Sequence, residues 1–504
     1  MKNIVFLLAL LVFVSCSDFL DLDNPNKKTT LSSWKTNEDL ESGVATIYNA
    51  FLEEPAGYWE IQAMQMKECR TENYTTRNDV QGRYAISTFK NTPSTNESTK
   101  IFRSLYVGIF RANQVIHYAE EITGTDETKK QQLVAEAKFL RGLNYFILAI
   151  EFGDAPIITQ LITDQSEYFT SKSPQVEVWN QAVSDLQDAK ASLPVKYPTD
   201  KIGRATKGAA IAFLGKAYLF QEMWDKAEQE FRLLTDNEAE YGYGLLENYA
   251  HLFDGMHENS KESVFEIQFS LEGGPDIWGT ENNPAMKVHS TTMAQECAPG
   301  EVGGWFELIP TKVLLEAFMK EGTKDDNFDP RALATLAWDY PGCVYYTYNF
   351  TEKFEKDAVW PRKGQNWWNK DEGDWKSTLN EYPMRYADVL LMLAEAYTMQ
   401  NKVSLAAPLV HRIRERAQLK DISSTMNSWN QNQMMQEIMH QRNLEFAREG
   451  MRFYDLRRWG ILEQVIKESQ VEGYNNYTPR YNYYPIPEEE LNNNPNITQN
   501  DAWK

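Results

Sequence analysis

Two stretches of this chain share one internal arrangement of small and aromatic residues, and that arrangement narrows the fold more than any other feature. In the first, Leu214, Gly215 and Tyr218 are followed by Ala227 and Phe231; in the second, Leu393, Ala394 and Tyr397 are followed by Ala406 and Val410. In both, an aromatic follows the small residue three positions later and an alanine follows it twelve positions later. A small residue lets two antiparallel helices approach closely, the tyrosine fills the groove beside it, and the second helix returns an alanine at the crossing. This is the pattern of a tetratricopeptide helical hairpin. Gly142 and Tyr145 repeat its first half and predict a third unit. Such hairpins stack into a solenoid with a continuous core.

Helical periodicity extends well beyond these pairs. Asn37, Glu38 and Asp39 open a helix that carries Leu40, Val44, Ile47, Tyr48 and Phe51 on one face. Further helices are predicted over 102–121, 129–152, 176–193, 207–221, 224–235, 384–399, 404–417 and 433–448, with Gly153 and Pro156 ending the third of the chain. Residues 236–380 differ. They are rich in Gly, Pro, Asn and Trp, and offer only short strand-like runs at 263–267 and 344–348. The fold class is therefore mainly α: a scaffold of tetratricopeptide-like hairpins with a loop-rich insertion containing short strands. The chain divides into 34–235 (helical), 236–380 (loop-rich and ligand-binding) and 381–504 (helical). Irregular segments held on a rigid frame are where binding residues concentrate.

The first sixteen residues, MKNIVFLLALLVFVSC, indicate a destination. Lys2 precedes an apolar run from Ile4 to Val14, too short to span a bilayer and suited to a signal peptide. The run ends at Val14-Ser15-Cys16, the pattern of a bacterial lipoprotein signal in which Cys16 is lipidated. Residues 1–15 are then the signal, and the polar stretch 16–33 reads as a tether. The formal net charge of −21 repels phosphate backbones and argues against nucleic acid as a partner. Cys69, Cys297 and Cys343 are too few for a disulfide framework, though one pair is open to them. The six histidines form no H-E-x-x-H and the cysteines no C-x-x-C, so no metal and no cofactor are expected. Asp325, Asp326 and Asp329 suggest calcium, but the glycine-containing spacing of an EF-hand is missing and a solvated turn is the reading adopted.

Several segments together resemble the SusD/RagB family of outer-membrane nutrient-binding lipoproteins. They are Cys16-Ser17-Asp18-Phe19-Leu20-Asp21, the helix and Gly-Asp-x-Pro turn of 135–158, GGWFELIPTKVLLEAF at 303–318, YPMRYADVLLMLAEAY at 382–397, EIMHQRNLEFAREGMRFYDLRRWG at 437–460, and the Tyr-Pro-Ile-Pro ending at 484–487. They occur in the family's order along the chain. The resemblance implies a SusD-like fold and a non-catalytic, lipid-anchored protein on the cell surface. It further implies a SusC-like TonB-dependent transporter as partner, for which the protein acts as a lid, and glycan or, in some members, peptide as ligand. It does not locate the ligand site, because its motifs read as structural. Arg442, Glu445, Glu449, Arg452, Asp455 and Arg458 are expected to form a paired network that fixes helix packing, and Arg385 and Asp388 to bond neighbouring groups. Trp305 and Trp459 lie in the motifs and are assigned to packing.

Sugar rings expose apolar C–H faces that stack on flat aromatic surfaces, while neighbouring amides and charges bond the hydroxyls. Loop aromatics with polar neighbours are therefore the candidate ligand residues. They are Tyr74 with Arg77, Asn78 and Asp79; Trp278 with Asn282 and Asn283; Trp338; and the Trp367-Trp368 pair. No acidic residues form a recognisable catalytic constellation, and no enzyme activity is expected.

Overall fold

Thr36 starts the first helix by a reciprocal cap: its hydroxyl accepts the Asp39 N–H, and the Asp39 carboxylate accepts the Thr36 N–H at 3.1 Å. The computed structural model describes residues 34–504 apart from 53–56, 60, 165–166, 272–289 and 374–375. Its principal helices are α1 (Asn37–Asn49), α2 (Asn96–Glu121), α3 (Glu127–Glu151), α4 (Gln175–Ser192), α5 (Lys207–Phe220), α6 (Trp224–Thr235), α7 (Tyr386–Met399), α8 (Val403–Arg416) and α9 (Gln431–Glu445). From α1 to α6 each helix packs on the next; α7 continues the row on α6, and α8 and α9 follow. The row therefore passes from Thr235 to Tyr386 in space while the chain between them makes its excursion of loops, short strands and short helices such as Lys312–Met319 and Pro330–Thr335.

The patterns predict this well. Leu40, Val44 and Ile47 are buried on one face of α1. In α5 every residue from Gly208 to Leu219 is buried, and in α7 every residue from Tyr386 to Thr398, as suits largely apolar helices whose few charges, Lys216, Asp388 and Glu395, are paired. A Cβ at Gly215 would stand 2.6 Å from the Phe231 ring, and one at Gly142 would stand 3.0 Å from the Asp185 side chain. Both glycines mark the close helix approaches expected of them. The Tyr218 hydroxyl accepts a hydrogen bond from Gln187 of α4 at 2.9 Å, filling the groove between hairpins.

The strands form two-stranded antiparallel pairs: β1 (Tyr74–Thr75) with β5 (Ile309–Pro310), β2 (Ala155–Pro156) with β3 (Lys172–Ser173), β4 (Ser263–Ile267) with β10 (Glu381–Arg385), β6 (Leu336–Trp338) with β9 (Val359–Pro361), and β7 (Val344–Tyr345) with β8 (Tyr348–Asn349). The expected strand at 263–267 is present. The run 344–348 is corrected: Tyr346 and Thr347 have φ of 50° and 64°, so it reverses in a two-residue turn and makes both arms of a hairpin. Helix α9 also stops earlier than expected, at Glu445, because Arg448 and Gly450 adopt φ of 62° and 72°.

The two ends of the chain close on each other. The Glu151 carboxylate accepts hydrogen bonds from Tyr58 (2.7 Å) and Arg70 (3.0 Å) and a further one from Tyr454. The Glu151 carbonyl accepts the Tyr484 N–H at 2.7 Å, Arg457 donates to the Ile150 carbonyl at 2.7 Å, and Arg452 reaches Glu72. Cys69, Cys297 and Cys343 are buried free thiols, so the pairing left open by the sequence does not occur. Among the described residues no helix is long and apolar enough to cross a membrane.

Candidate functional site

The densest charged cluster lies in the core. Arg385 contacts Glu262 (2.7 Å), Glu445 (3.0 Å) and Glu449 (2.7 Å); Lys363 contacts Glu449; Arg331 bonds Asp329; and Arg416 closes on Glu445. A second group joins Arg442 to Asp388 (2.7 Å) and Asp455 (2.8 Å), with Lys216 also on Asp388 and Arg458 on Asp455 and Glu395. Burial alone would raise the Glu445 carboxyl; Arg416, Arg385 and Arg331 outweigh it and hold the group down at about 2. The side chains of Arg385, Glu262 and Glu445 are wholly buried, so no ligand reaches them. These groups fix helices, as expected, with one change of partner: Arg452 leaves the network and binds Glu72.

The exposed candidates lie around the turn 298–306. Strand pairing of Tyr74 with Pro310 sets the loop 76–80 beside this turn. There Arg77 donates to the Trp305 carbonyl at 2.8 Å, its guanidinium sits 4.9 Å from the Phe306 ring centre, and its fork grips Asp79 at 2.5 and 2.6 Å. That fork holds the Asp79 carboxyl below its usual range and raises Arg77. Asn78 is exposed at the tip. Half-buried Arg83 bridges to Glu296 (2.9 Å) and Glu307, tying the helix Gln81–Ser87 to both flanks of the turn. Gly304 passes so close to Ala298 that a Cβ would lie 2.0 Å from its carbonyl oxygen.

The same turn docks the loop of Trp367 and Trp368, since the Val302 carbonyl accepts the Glu372 N–H at 3.0 Å. Trp367 is half-buried against the small apolar cluster of Ala298, Val302, Tyr345, Tyr346 and Phe350. Its carbonyl accepts the Tyr346 N–H at 2.9 Å, and Arg362 covers its ring at 4.6 Å. Trp368 stands edge-on to it, ring centres 6.1 Å apart, and is 41 % exposed. Of the pair, Trp368 presents its ring to solvent and Trp367 supports it.

Two candidates are corrected. Tyr74 is 1 % exposed, buried by the strand pairing that fixes the Arg77 loop; it positions the site and offers no platform. Trp338 is 8 % exposed, because β6 inserts it between Tyr340 (4.5 Å) and Phe328 (5.3 Å). Trp278, Asn282 and Asn283 lie outside the described residues. The described residues flanking them are anchored near the Trp367-Trp368 loop: Phe269 donates to the Asn380 side chain at 2.8 Å, Thr291 pairs with Ser377, and Ser377 donates to Asn366 at 3.1 Å. The aspartates considered for calcium point to separate partners, Asp329 to buried Arg331 and Asp326 to Lys420 at 3.0 Å. The residue that the sequence reading missed is Phe306, 37 % exposed at a φ of 44°. Its signal was an aromatic after Gly303-Gly304, hidden because its motif was read as structural.

This frame of helices carrying an aromatic and polar loop face matches known proteins. A family model described as "SusD family" matches residues 261–503, and one described as "Starch-binding associating with outer membrane" matches residues 18–219. "SusD-like protein P2" of Formosa agariphila is 28% identical over 99% of this chain and 98% of its own length. The crystal structure of a SusD superfamily protein from Bacteroides vulgatus superposes with a TM-score of 0.84 at 36% identity, covering 93% of this chain and 100% of that one. A laminarin binding SusD-like protein shares the fold, with a TM-score of 0.77 at 23% identity over 93% of this chain and 100% of its own. The chain belongs to the SusD family.

Proposed function

We propose that this protein is a non-catalytic glycan-binding lipoprotein of the cell surface that captures oligo- or polysaccharide and passes it to a SusC-like TonB-dependent transporter, for which it forms a lid. The observation that carries the glycan reading is the solvent-facing ring of Trp368, braced by Trp367 and grouped around one turn with Phe306, Arg77, Asn78 and Asp79. An exposed indole takes the C–H face of a sugar, and the arginine, amide and carboxylate take its hydroxyls. The laminarin binding neighbour supports a glycan as the ligand class. The charged clusters that resemble catalytic groups are sealed in the core, which supports binding over catalysis.

Cys16 anchors the protein in the outer membrane in this reading, and residues 16–33 tether the folded part. Tethering makes capture local, at high effective concentration, so modest affinity suffices. Native gels containing starch, laminarin, fructan, xylan, mannan, pectin or mucin glycans test the proposal. Retardation by one of them, lost in Trp368→Ala and weakened in Arg77→Ala, is the expected result. No retardation by any of them shifts the ligand to peptides, the alternative that the same architecture serves.

A further inference from the structure

His251, Asp254 and His257 have no part in the proposed glycan site. The short 3-10 helix Tyr249–Phe253 carries His251, and the turn that follows carries the other two. Gly255, at a φ of 68°, reverses the chain. One Asp254 oxygen then accepts the N–H groups of Met256 (2.8 Å) and His257 (3.2 Å), and the other meets His257 Nδ1 at 2.8 Å. This folding-back lays the His257 ring flat on the His251 ring, centres 4.1 Å apart and planes within 4°. One ring nitrogen of each histidine and one Asp254 oxygen lie within 4.8 Å of one another. Among the described residues this is the only such group of three histidine, cysteine or carboxylate side chains.

The Asp254–His257 contact by itself accounts for two of these residues. It does not account for His251, whose ring makes no hydrogen bond or ion pair among the described residues. Nor does it need the backbone to be held as firmly as it is. The Tyr249 hydroxyl donates to the Glu445 carbonyl at 2.7 Å, the Leu252 carbonyl accepts the Tyr382 hydroxyl at 2.7 Å, and Phe253 packs edge-on against Tyr382. A ligand set on a fixed backbone is already ordered before an ion arrives, which is what a metal site requires. The His257 side chain is 41 % exposed, so the set opens to solvent and leaves room for water to complete the coordination.

We propose that His251, Asp254 and His257 bind one zinc-class divalent ion, with water in the remaining position. Two imidazoles and one carboxylate suit Zn²⁺, Ni²⁺ or Co²⁺, whereas calcium and magnesium take oxygen ligands. A tetrahedral zinc sets its ligand atoms about 3.3 Å apart, so small side-chain rotations close the present spacing. The turn 249–258 is bonded to Asn380 and Tyr382, just beyond Ser377, whose hydroxyl reaches Asn366 beside Trp367. The ion would therefore stiffen the floor behind the ligand loops.

The test is calorimetric titration of Zn²⁺, Ni²⁺ and Ca²⁺ into the full chain, purified in detergent without a histidine tag. One Zn²⁺ or Ni²⁺ per chain is expected, with affinity at least about tenfold weaker in His251→Gln, His257→Gln and Asp254→Asn. His117→Gln, at an exposed histidine of α2, should bind as the parent does. Each variant's melting temperature without metal shows that it is folded. Diffraction from zinc-soaked crystals should place an anomalous peak between His251 and His257. No binding of Zn²⁺ or Ni²⁺, or binding that survives both histidine substitutions, overturns the proposal. Because glycan retardation is read separately, this proposal and the glycan reading fail independently.

Discussion

Arg385 and Glu449 meet by a two-pronged pair, Nε to Oε2 at 2.8 Å and Nη2 to Oε1 at 2.7 Å, with the arginine side chain wholly buried. Arg385 ends β10 and Glu449 lies beyond α9, in the turn created by the left-handed Arg448 and Gly450. Fork-to-fork geometry of this kind gives direction as well as energy. Removing one partner leaves the other charged and dry, so Arg385→Met is expected to cost roughly 3–5 kcal/mol in urea unfolding. Arg77→Met breaks an exposed pair and is expected to cost less than about 1 kcal/mol.

Acid should unfold the protein through Glu445. Its carboxyl is held at about 2 against an ordinary 4.5, so the folded state prefers the ionised form. The stability this contributes is fully present above about 4.5 and is lost as the pH falls through about 2. Thermal melts between pH 6 and pH 2 should show the melting temperature falling across that window. In Arg416→Met, which removes the cation that holds Glu445 down most strongly, the fall should begin at a higher pH.

The tryptophans should separate binding from folding. Trp368→Ala is expected to weaken glycan binding at least about tenfold, or 1.4 kcal/mol, with no change in melting temperature. Trp338→Ala empties a core position between Phe328 and Tyr340 and is expected to cost about 3–5 kcal/mol of stability. Affinity gels and thermal melts on the two variants should give opposite patterns.

Gly304→Ala tests the turn that joins the two loops. The new methyl would meet the Ala298 carbonyl oxygen at 2.0 Å, and that oxygen belongs to backbone, so the turn itself must shift. A cost of roughly 1–3 kcal/mol is expected, together with reduced glycan binding as Phe306 leaves its place beside Arg77.

The cysteines give a simple reporter of integrity. Burial pushes the Cys69 and Cys297 thiols up to about 12. The native protein should leave Cys69, Cys297 and Cys343 unlabelled by a thiol reagent at neutral pH, and denaturant should release all three.

The helical frame was legible because its signals repeat. Gly215 and Tyr218, or Leu40, Val44 and Ile47, announce a buried face several times over within one helix. The short strands carry no such redundancy. Five residues at 344–348 read the same whether they run straight or reverse, and only the left-handed Tyr346 and Thr347 decide it. Tyr74 looked like a loop aromatic because its partner Pro310 is more than two hundred residues away. Phe306 was overlooked for the converse reason: a family motif suggests packing, yet one positive φ turns this ring outward. The pairing of His251 with His257 depends on Gly255 and the Asp254 turn, which no standard metal motif describes.

The bonds between Glu151 and the last part of the chain set a timetable for folding. Tyr58, Arg70 and Tyr454 share one carboxylate, and Tyr484 seals the same residue's carbonyl. Tyr58 and Arg70 can pair with that carboxylate early, but the bonds from Tyr454 and Tyr484 wait for residues some three hundred positions later. A product stalled before Tyr454 lacks its final lock and is a natural target for proteolysis, so completion of the chain is itself the checkpoint for a finished fold.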